Sequence, residues 1–296
     1  MKVVVIGAFG QLGTDLCKVY GDSELHKVDV DGDCIHLDIC EADAVRRLIV
    51  DEIRPGLVIN TAAAHNVPKC QEQPAVAFAV NATAALNLAT ACRDAGARFV
   101  HISTDYVFGS GGTRPYTESD APAPVNVYGA SKLAGEHLIA AECDDYMIVR
   151  TSALYGSAPC RAKGGKNFVD LMLHLAATRG EVKVVTDEIV SPTYTHVLAR
   201  QIRLAAEKGE PGLYHATCNG QCSWYEFAQA IFGDTRTEVR LLEAAREDFP
   251  SPVKRPDYSV LQNKRLQDQG LDIMPEWRDA LRSYLAERRL CQALSS

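Results

Sequence analysis

The sequence predicts an α/β protein in which a doubly wound parallel sheet is followed by a smaller mixed C-terminal domain. Short apolar runs alternate with amphipathic segments along the chain up to Gly212, and this alternation is typical of parallel strands connected by helices. The first apolar run, at residues 3–6, leads directly into a turn with three glycines at 7–13. After Gly212 the alternation breaks into shorter pieces, which indicates a second, smaller unit.

Length and composition are those of a globular protein larger than the usual single domain. The chain has 296 residues, of which 47% are hydrophobic, so it can bury a sizeable core. Charged residues make up 23% of the chain, which is ordinary. The net charge of −7 argues against a nucleic acid or an anionic membrane as a partner.

The ten cysteines are scattered along the chain without a paired framework. Cys218 and Cys222 are the closest pair, and no second pair or histidine cluster completes a metal site. The N-terminal apolar run is too short for a signal peptide or a membrane span. We therefore expect reduced thiols in a cytoplasmic protein and no bound metal.

The glycine-rich turn follows the first strand and opens a helix expected at about 11–20. Glycines let the backbone approach a pyrophosphate, and the helix N-terminus attracts its negative charge. The spacing is Gly-x-x-Gly-x-x-Gly, not the commoner Gly-x-Gly-x-x-Gly. A tight turn without a ligand has the same pattern, but the N-terminal position favours a dinucleotide. The predicted cofactor residues here are Gly7, Gly10, Gln11, Leu12 and Gly13.

Acidic residues end the next two strands. Asp29 and Asp31 follow a strand at 25–28, where a carboxylate can accept hydrogen bonds from the adenosine ribose hydroxyls and repel a 2′-phosphate. This favours NADH, with Asp29 nearer the strand end; a solvated turn carboxylate is the alternative. Asp38 and Ile39 follow a short apolar run and are predicted at the adenine, although Asp38 could equally cap the helix starting near residue 41.

Small residues follow the fourth strand, at 57–60. Ala62 and Ala63 permit close approach of a dinucleotide, so we assign them to the cofactor site. A long helix is expected at about 74–95, and Asn81 inside it is predicted to make a structural hydrogen bond.

The fifth strand, at 98–102, delivers Thr104, Asp105 and Tyr106 to the edge where the other strands end. Ligands of open α/β sheets bind outside these carboxyl ends. A hydroxyl at this place can hold a substrate carbonyl, which we assign to Thr104. The alternative, a hydroxyl that ties the loop together, fits Ser103 better.

Tyr128 and Lys132 are spaced so that both side chains leave the same face of a helix. A free phenol has a pKa of about 10 and is a poor acid or base at neutral pH. A neighbouring ammonium group favours the phenolate and lowers that pKa. Such a pair is common on surface helices. It indicates a catalytic site here because the glycine-rich turn and Thr104 occur in the same chain.

The remaining strands are expected at 146–150 and 182–185, with helices reaching about 208 and from 276 to 290. The basic run 160–166 looks like a mobile loop beside the site. We predict a dinucleotide-binding domain at 1–156 plus about 182–208. A substrate-binding domain is predicted at about 157–181 plus 209–296.

The motifs together resemble the extended short-chain dehydrogenase/reductases, and among these the dTDP-4-dehydrorhamnose reductase family. The resemblance reaches almost to the C-terminus. Its motifs are Gly7-x-x-Gly10-Gln11-Leu12-Gly13, Ser103-Thr104-Asp105-Tyr106, Tyr128-x-x-x-Lys132, Arg150-Thr151-Ser152, Ser191-Pro192-Thr193, Ser223-Trp224-Tyr225 and Arg255-Pro256-x-x-Ser259.

This resemblance implies a Rossmann-type domain that binds NADH or NADPH and a hydride transfer to the C4 carbonyl of a nucleotide-linked 4-keto-6-deoxysugar. It implies that Tyr128 protonates the carbonyl oxygen, that Lys132 holds the nicotinamide ribose and that Thr104 positions the carbonyl. The implied substrate-binding residues are Thr104, Asp105, Tyr106, Ala153, Trp224 and Arg255. A homodimer is one alternative for the assembly.

Three departures from the family pattern concern residues that we expect on the sugar side. They are the segment 67–71, Ala153 in place of an aromatic residue, and a longer loop between 156 and 167. Asp105-Tyr106 lacks the acidic pair of related sugar dehydratases, which argues against that reaction. Two alternatives stay open: a sugar-nucleotide epimerase of the same fold, and a regulatory subunit like the methionine adenosyltransferase β subunit.

Overall fold

The computed structural model describes residues 1–109, 111–161, 164–249 and 251–294, with side chains up to 288. The strands are β1 (Lys2–Ile6), β2 (Glu24–Asp29), β3 (Ile35–His36), β4 (Leu57–Asn60), β5 (Arg98–Thr104), β6 (Tyr146–Thr151), β7 (Leu154–Tyr155), β8 (Glu181–Val185), β9 (Ile189–Val190), β10 (Thr193–Tyr194), β11 (Gly212–His215), β12 (Cys222–Ser223) and β13 (Arg240–Ala244). The helices are α1 (Gln11–Val19), α2 (Ala42–Arg46), α3 (Val67–Glu72), α4 (Pro74–Phe78), α5 (Ala84–Ala95), α6 (Val127–Glu142), α7 (Phe168–Thr178), α8 (Thr195–Lys208), α9 (Trp224–Thr235), α10 (Lys264–Asp268) and α11 (Trp277–Leu294).

The central sheet contains seven parallel strands within the described residues, in the order β11-β6-β5-β4-β1-β2-β3. The chain winds outward from β1 to β3 and then in the other direction through β4, β5 and β6. This reversal places a crevice at the carboxyl ends of β1 and β4, where such sheets bind ligands. The predicted fold class, a Rossmann-type doubly wound sheet, is confirmed.

Both faces of the sheet are covered, as the unbroken apolar character of β1 predicts. Val3 and Val5 pack on one face in a core cluster that contains residues of α1 and α8. Val4 and Ile6 pack on the other face with residues of α2 and α5. The cofactor turn is therefore carried on a strand that is buried on both sides.

The predicted helix at 74–95 is continuous, because the π-helical segment Ala79–Thr83 joins α4 to α5. It is long and apolar enough to cross a membrane, but half of its most apolar window is buried inside the protein. Asn81 lies in it, accepts a hydrogen bond from the Ala64 N–H and donates to Ser131 Oγ. Asn81 is thus a structural residue, as predicted, and the helix belongs to the core.

Outside the central sheet, β8 pairs with β13, β9 with β12, and β10 with β7. β8 therefore leaves the unit to which we assigned 182–208, whereas β11 joins the large sheet although we placed it in the substrate-binding domain. The segment 195–208 does pack on the dinucleotide-binding unit, through α8 against α1. The division into two domains stays a prediction, with these two strands exchanged.

Cysteine side chains of the described residues form no disulfide. Cys218 and Cys222 are buried in the apolar cluster that also contains α9 residues. Burial raises the pKa of the Cys218 thiol to about 12, so this thiol is held protonated.

Candidate active site

The glycine-rich turn is shaped so that side chains are excluded. Gly7 has φ +77°, in the left-handed region, and its N–H donates to Val28 O at 2.9 Å. A Cβ atom on Gly13 would lie 2.0 Å from Gly7 O, and one on Gly7 would lie 2.5 Å from Thr61 Oγ1. Gly10 precedes the first turn of α1, whose leading N–H groups have no partner inside the helix. The turn fits a diphosphate, which the helix N-terminus attracts.

Asp29 lies at the carboxyl end of β2 and is buried. It accepts hydrogen bonds from the N–H of Phe9, within the glycine-rich turn, at 3.0 Å and from the N–H of Val30 at 2.8 Å. The side chain of Asp31 is 75% exposed and is not held in the way that the backbone N–H groups hold Asp29. The carboxylate that is fixed beside the turn is therefore Asp29.

The predicted adenine contacts are placed less favourably. Asp38 is exposed and accepts from the Cys40 N–H at 2.9 Å, while α2 begins after Glu41. Ile39 is buried in the core cluster beneath the sheet. Neither side chain is drawn into the cofactor turn, so their assignment stays a prediction.

The end of β4 lies against the glycine-rich turn. The Ala62 N–H donates to Asn60 Oδ1 at 3.0 Å, and Thr61 Oγ1 donates to Gly7 O. Ala62 and Ala63 are partly buried. Their assignment to the cofactor site stays a prediction.

Thr104 and Tyr128 meet at the carboxyl end of β5. The side chain of Asn126 caps α6 by accepting from the Gly129 N–H at 2.9 Å, which fixes the first turn of the helix and with it Tyr128. The hydroxyl group of Thr104 acts on the phenol of Tyr128 as a hydrogen-bond partner and lowers its pKa. Two hydroxyls are thus brought to one point at the ligand-binding edge of the sheet.

Lys132 is buried one helical turn from Tyr128. Its Nζ donates to Ile102 O at 2.7 Å and contacts His101 Nε2 at 2.9 Å. Burial lowers the pKa of Lys132 to about 8, and the charge of Glu136 opposes this shift. The side-chain amino group of Lys132 can therefore gain or lose its proton close to neutral pH.

The pKa of Tyr128 differs from the sequence prediction. Burial raises it, and the hydrogen bond with Thr104 only partly opposes this shift. Lys132 is directed towards β5, at His101 and Ile102, and does not lower the pKa of the phenol. Tyr128 is consequently held as the neutral phenol, which is the form that can donate a proton.

Replacing Lys132 by Met is expected to change how stability depends on pH. In the wild type the unfolded chain keeps this lysine protonated up to pH of about 10.4, whereas the folded chain releases the proton near 8. Between these values the wild type should gain about 3 kcal/mol relative to Lys132→Met, because the folded state binds fewer protons. Urea unfolding of both proteins at pH 7.5 and 10 measures the difference. A constant difference would contradict the shifted pKa.

Asp105 holds the side chain of Thr104 in place through a hydrogen bond. Its carboxylate accepts from Thr104 Oγ1 at 3.1 Å, from Ser152 Oγ at 2.8 Å and from Ser259 Oγ at 2.6 Å. Asp105 is buried, and burial raises its pKa against these hydrogen bonds. This placement gives Asp105 a positioning role and does not support the predicted substrate contact. Ser152 and Ser259 were not predicted as site residues. Both lie in motifs of the family pattern, and this was the sequence signal that could have identified them.

Two buried networks behind the site were not predicted. His101 links Lys132 to Asn60, whose Nδ2 lies 3.1 Å from His101 Nδ1. Glu136 accepts three hydrogen bonds from Arg150, at 2.9, 3.2 and 2.6 Å, and one from Ser103 Oγ. Ser103 therefore ties the strands to α6, which agrees with the alternative that we gave for it. Both networks depend on pairing across the sheet, and local sequence carries no signal for that.

Three of the predicted substrate residues, Tyr106, Trp224 and Arg255, are linked by ring contacts and charges. The ring of Tyr106 meets that of Tyr128 edge-on, with 5.6 Å between centroids. Arg255 is exposed, and its charge acts on Tyr106 and on the buried Glu188, whose pKa is also lowered by Trp224. Burial raises the pKa of Glu188, and Arg255 opposes this shift.

Ala153 is placed by an unusual backbone conformation. It has φ +47°, which strains a residue with a side chain, and its carbonyl accepts from the Thr193 N–H at 3.3 Å. Because Ala153 directly follows Ser152, its position is coupled to that of Asp105.

The basic run 160–166 lies differently from our expectation. Ala162 and Lys163 fall outside the described residues. Arg161 reaches Asp29, with Nη1 at 3.1 Å from Oδ1. The described part of this loop therefore reaches Asp29, beside the glycine-rich turn.

The geometry can be compared with known proteins. A family model described as the RmlD substrate binding domain matches residues 1–290. The chain belongs to this family. The RmlD family includes dTDP-4-dehydrorhamnose reductases, so the resemblance predicted from the motifs is confirmed.

Relatives of this RmlD-family chain match it along nearly its whole length. The spore coat polysaccharide biosynthesis protein SpsK of Bacillus subtilis is 40% identical over 97% of this chain and 98% of its own. A dTDP-4-dehydrorhamnose reductase of Clostridium acetobutylicum has a crystal structure with TM-score 0.92 and 40% identity, covering 98% and 100% of the two chains. The reductase of Bacillus anthracis was solved in complex with NADP, with TM-score 0.90 and 37% identity over 97% and 99%.

Proposed function

We propose that this protein is an NAD(P)H-dependent oxidoreductase that reduces the 4-keto group of a nucleotide-linked 6-deoxysugar. The observation that carries the proposal is the placement of the Thr104 and Tyr128 hydroxyl groups at the carboxyl end of β5, beside the buried Lys132. This pair lies at the same edge of the sheet as the turn that fits a diphosphate. The names of the RmlD relatives support the same reaction, because they give dTDP-4-dehydrorhamnose as the substrate of those enzymes.

Each residue has a role in this proposal. Reduced nicotinamide, when bound, supplies hydride to the carbonyl carbon. Tyr128, as the neutral phenol, donates its proton to the carbonyl oxygen, and Thr104 holds that oxygen through its hydroxyl. Lys132, with a pKa of about 8, supplies a mobile proton and a positive charge next to the nicotinamide ribose.

The glycine-rich turn would hold the diphosphate of the cofactor and Asp29 its adenosine ribose. Ala62 and Ala63 would lie along the dinucleotide. Tyr106, Trp224 and the region of Ala153 would line the sugar, with Arg255 at the nucleotide diphosphate. We place the protein in the cytoplasm and leave a homodimer as the assembly to be tested.

The function is tested by mixing the protein with NADH or NADPH and a panel of nucleotide-4-keto sugars while the absorbance of reduced nicotinamide is followed. We expect oxidation of the cofactor with at least one sugar. Product formed without net oxidation would show an epimerase instead. Binding of the dinucleotide without turnover of any sugar would show a regulatory subunit.

Replacing Asp29 by Ser is expected to improve NADPH relative to NADH. Ser can still accept from the Phe9 N–H, but the charge that repels a 2′-phosphate is removed. Like charges about 4 Å apart repel by about 1 kcal/mol in water, so the ratio of kcat/KM values should change roughly five- to tenfold. Asp31→Ser is the control and should have a smaller effect, since Asp31 is exposed. An unchanged ratio in both variants would mean that these carboxylates do not act on the 2′ position of the cofactor.

A further inference from the structure

A cation from a distant loop lies on the predicted adenosine site. Arg161 Nη1 is 3.1 Å from Asp29 Oδ1 and 3.7 Å from Asp31 Oδ2. The guanidinium also lies over the ring of Phe9, 5.9 Å from its centroid. Phe9 belongs to the glycine-rich turn, so Arg161 touches three groups around the place where an adenosine ribose would bind.

The loop that carries Arg161 is fastened to the start of α1. The carbonyl of Gly156 accepts from Gln11 Nε2 at 3.4 Å and from Asn167 Nδ2 at 3.0 Å. Farther along, Cys160 and Gly165 exchange two backbone hydrogen bonds, at 3.3 and 3.0 Å. These bonds hold Gly156 beside the cofactor turn and Cys160 against Gly165, so the segment that leads to Arg161 is anchored.

The charges at this place bear on the choice of cofactor. Asp29 and Asp31 would repel a dianionic 2′-phosphate. Arg161 offsets part of this negative charge and offers donors that can grip phosphate oxygens in a bidentate manner. Its side chain is 42% exposed, so an incoming nucleotide can reach it. Asp29 keeps its two backbone N–H donors when the guanidinium turns to another anion.

We propose that Arg161 binds the 2′-phosphate of NADPH and is the residue that lets this acidic site take NADPH as well as NADH. The inference rests on the proposed dinucleotide cofactor and adds the residue that distinguishes its two forms. It offsets the preference for NADH that the acidic turn alone predicts.

The test uses two fragments that differ at the 2′ position, 2′,5′-ADP and 5′-AMP. Their dissociation constants are measured by calorimetry for the wild type, for Arg161→Ala and for Arg161→Lys. Arg161→Ala should raise the dissociation constant of 2′,5′-ADP about 10- to 100-fold, which is the usual contribution of a charge-assisted hydrogen bond. The dissociation constant of 5′-AMP should barely change. Arg161→Lys should keep part of the affinity, because its charge remains but the bidentate geometry is lost.

Arg240→Ala is the matched control, since Arg240 is an exposed arginine on β13. It should leave both dissociation constants unchanged. Equal weakening of the two fragments by Arg161→Ala would mean that Arg161 only holds Asp29 in place and would overturn the proposal. No weakening of either fragment, or no binding of 2′,5′-ADP to the wild type, would overturn it as well.

Fragment binding also separates this proposal from the proposed function. If the wild type reduces a keto sugar and Arg161→Ala leaves the ratio of kcat/KM values for NADPH and NADH unchanged, only this inference is overturned. If the wild type turns over no sugar but binds 2′,5′-ADP through Arg161, the proposed reaction is overturned and the role of Arg161 in cofactor binding is kept.

Discussion

Tyr128→Phe should lower kcat by about 10²- to 10⁴-fold, which is the usual contribution of general acid catalysis. The aromatic ring and its edge-on contact with Tyr106 remain, so the shape of the site is kept. The phenolic proton is lost, together with the hydrogen bond to Thr104. Steady-state kinetics with the best keto sugar measure the loss, and cofactor fluorescence should show an unchanged dissociation constant for NADPH.

The control for this variant is Tyr146→Phe. Tyr146 begins β6, at the edge of the sheet opposite to the ligand crevice. Removing its hydroxyl should leave kcat within twofold of the wild type, in the range of ordinary surface changes. If Tyr128→Phe behaved in the same way, Tyr128 would not be the proton donor.

Arg255→Ala should raise the KM for the nucleotide-sugar about 10- to 100-fold, because a charge-assisted contact with the substrate diphosphate is lost. The affinity for cofactor and the Tm should barely move, since the exposed Arg255 carries no core packing. Kinetics with saturating cofactor, calorimetry and thermal unfolding give the three readouts. Lys254→Ala, which removes the neighbouring cation, should have a much smaller effect on KM.

A structural role for Arg255 would give another result. Its charge opposes the shift that burial imposes on the carboxyl group of Glu188. If Arg255 mainly served this carboxylate, Arg255→Ala would lower the Tm clearly and would affect substrate and cofactor alike. Thermal unfolding therefore decides between a surface arginine that supports the fold and one that binds substrate.

The sequence predicted six of the seven strands of the central sheet, all except β11, and the segment that carries Tyr128, because both patterns are local. Apolar runs determine β1, β4 and β5, and the chain after Asn126 has helical spacing. The partner of each short strand is not local information: β8 pairs with β13, and β11 completes the large sheet. Nothing in the composition of a short apolar run says which sheet it joins.

The candidate site shows the same limit. Glycines and spaced side chains can be found in the sequence, as Gly7, Thr104 and Tyr128 were. The support of these residues comes from far along the chain, as when Ser259 donates to Asp105 or Arg161 to Asp29. Likewise the predicted effect of Lys132 on the Tyr128 pKa was wrong, because spacing on a helix does not tell where a long side chain is directed.

The bond between Ser259 and Asp105 has a consequence for the order in which the protein becomes competent during synthesis. Chains generally fold from the N-terminus as they are made. The glycine-rich turn lies near the N-terminus, but α1 behind it packs on α8, so this turn too is fully supported only once residue 208 has been made. Asp105 lacks one of its three hydroxyl donors until residue 259 has been added. Thr104 therefore acquires its full support later than the glycine-rich turn does.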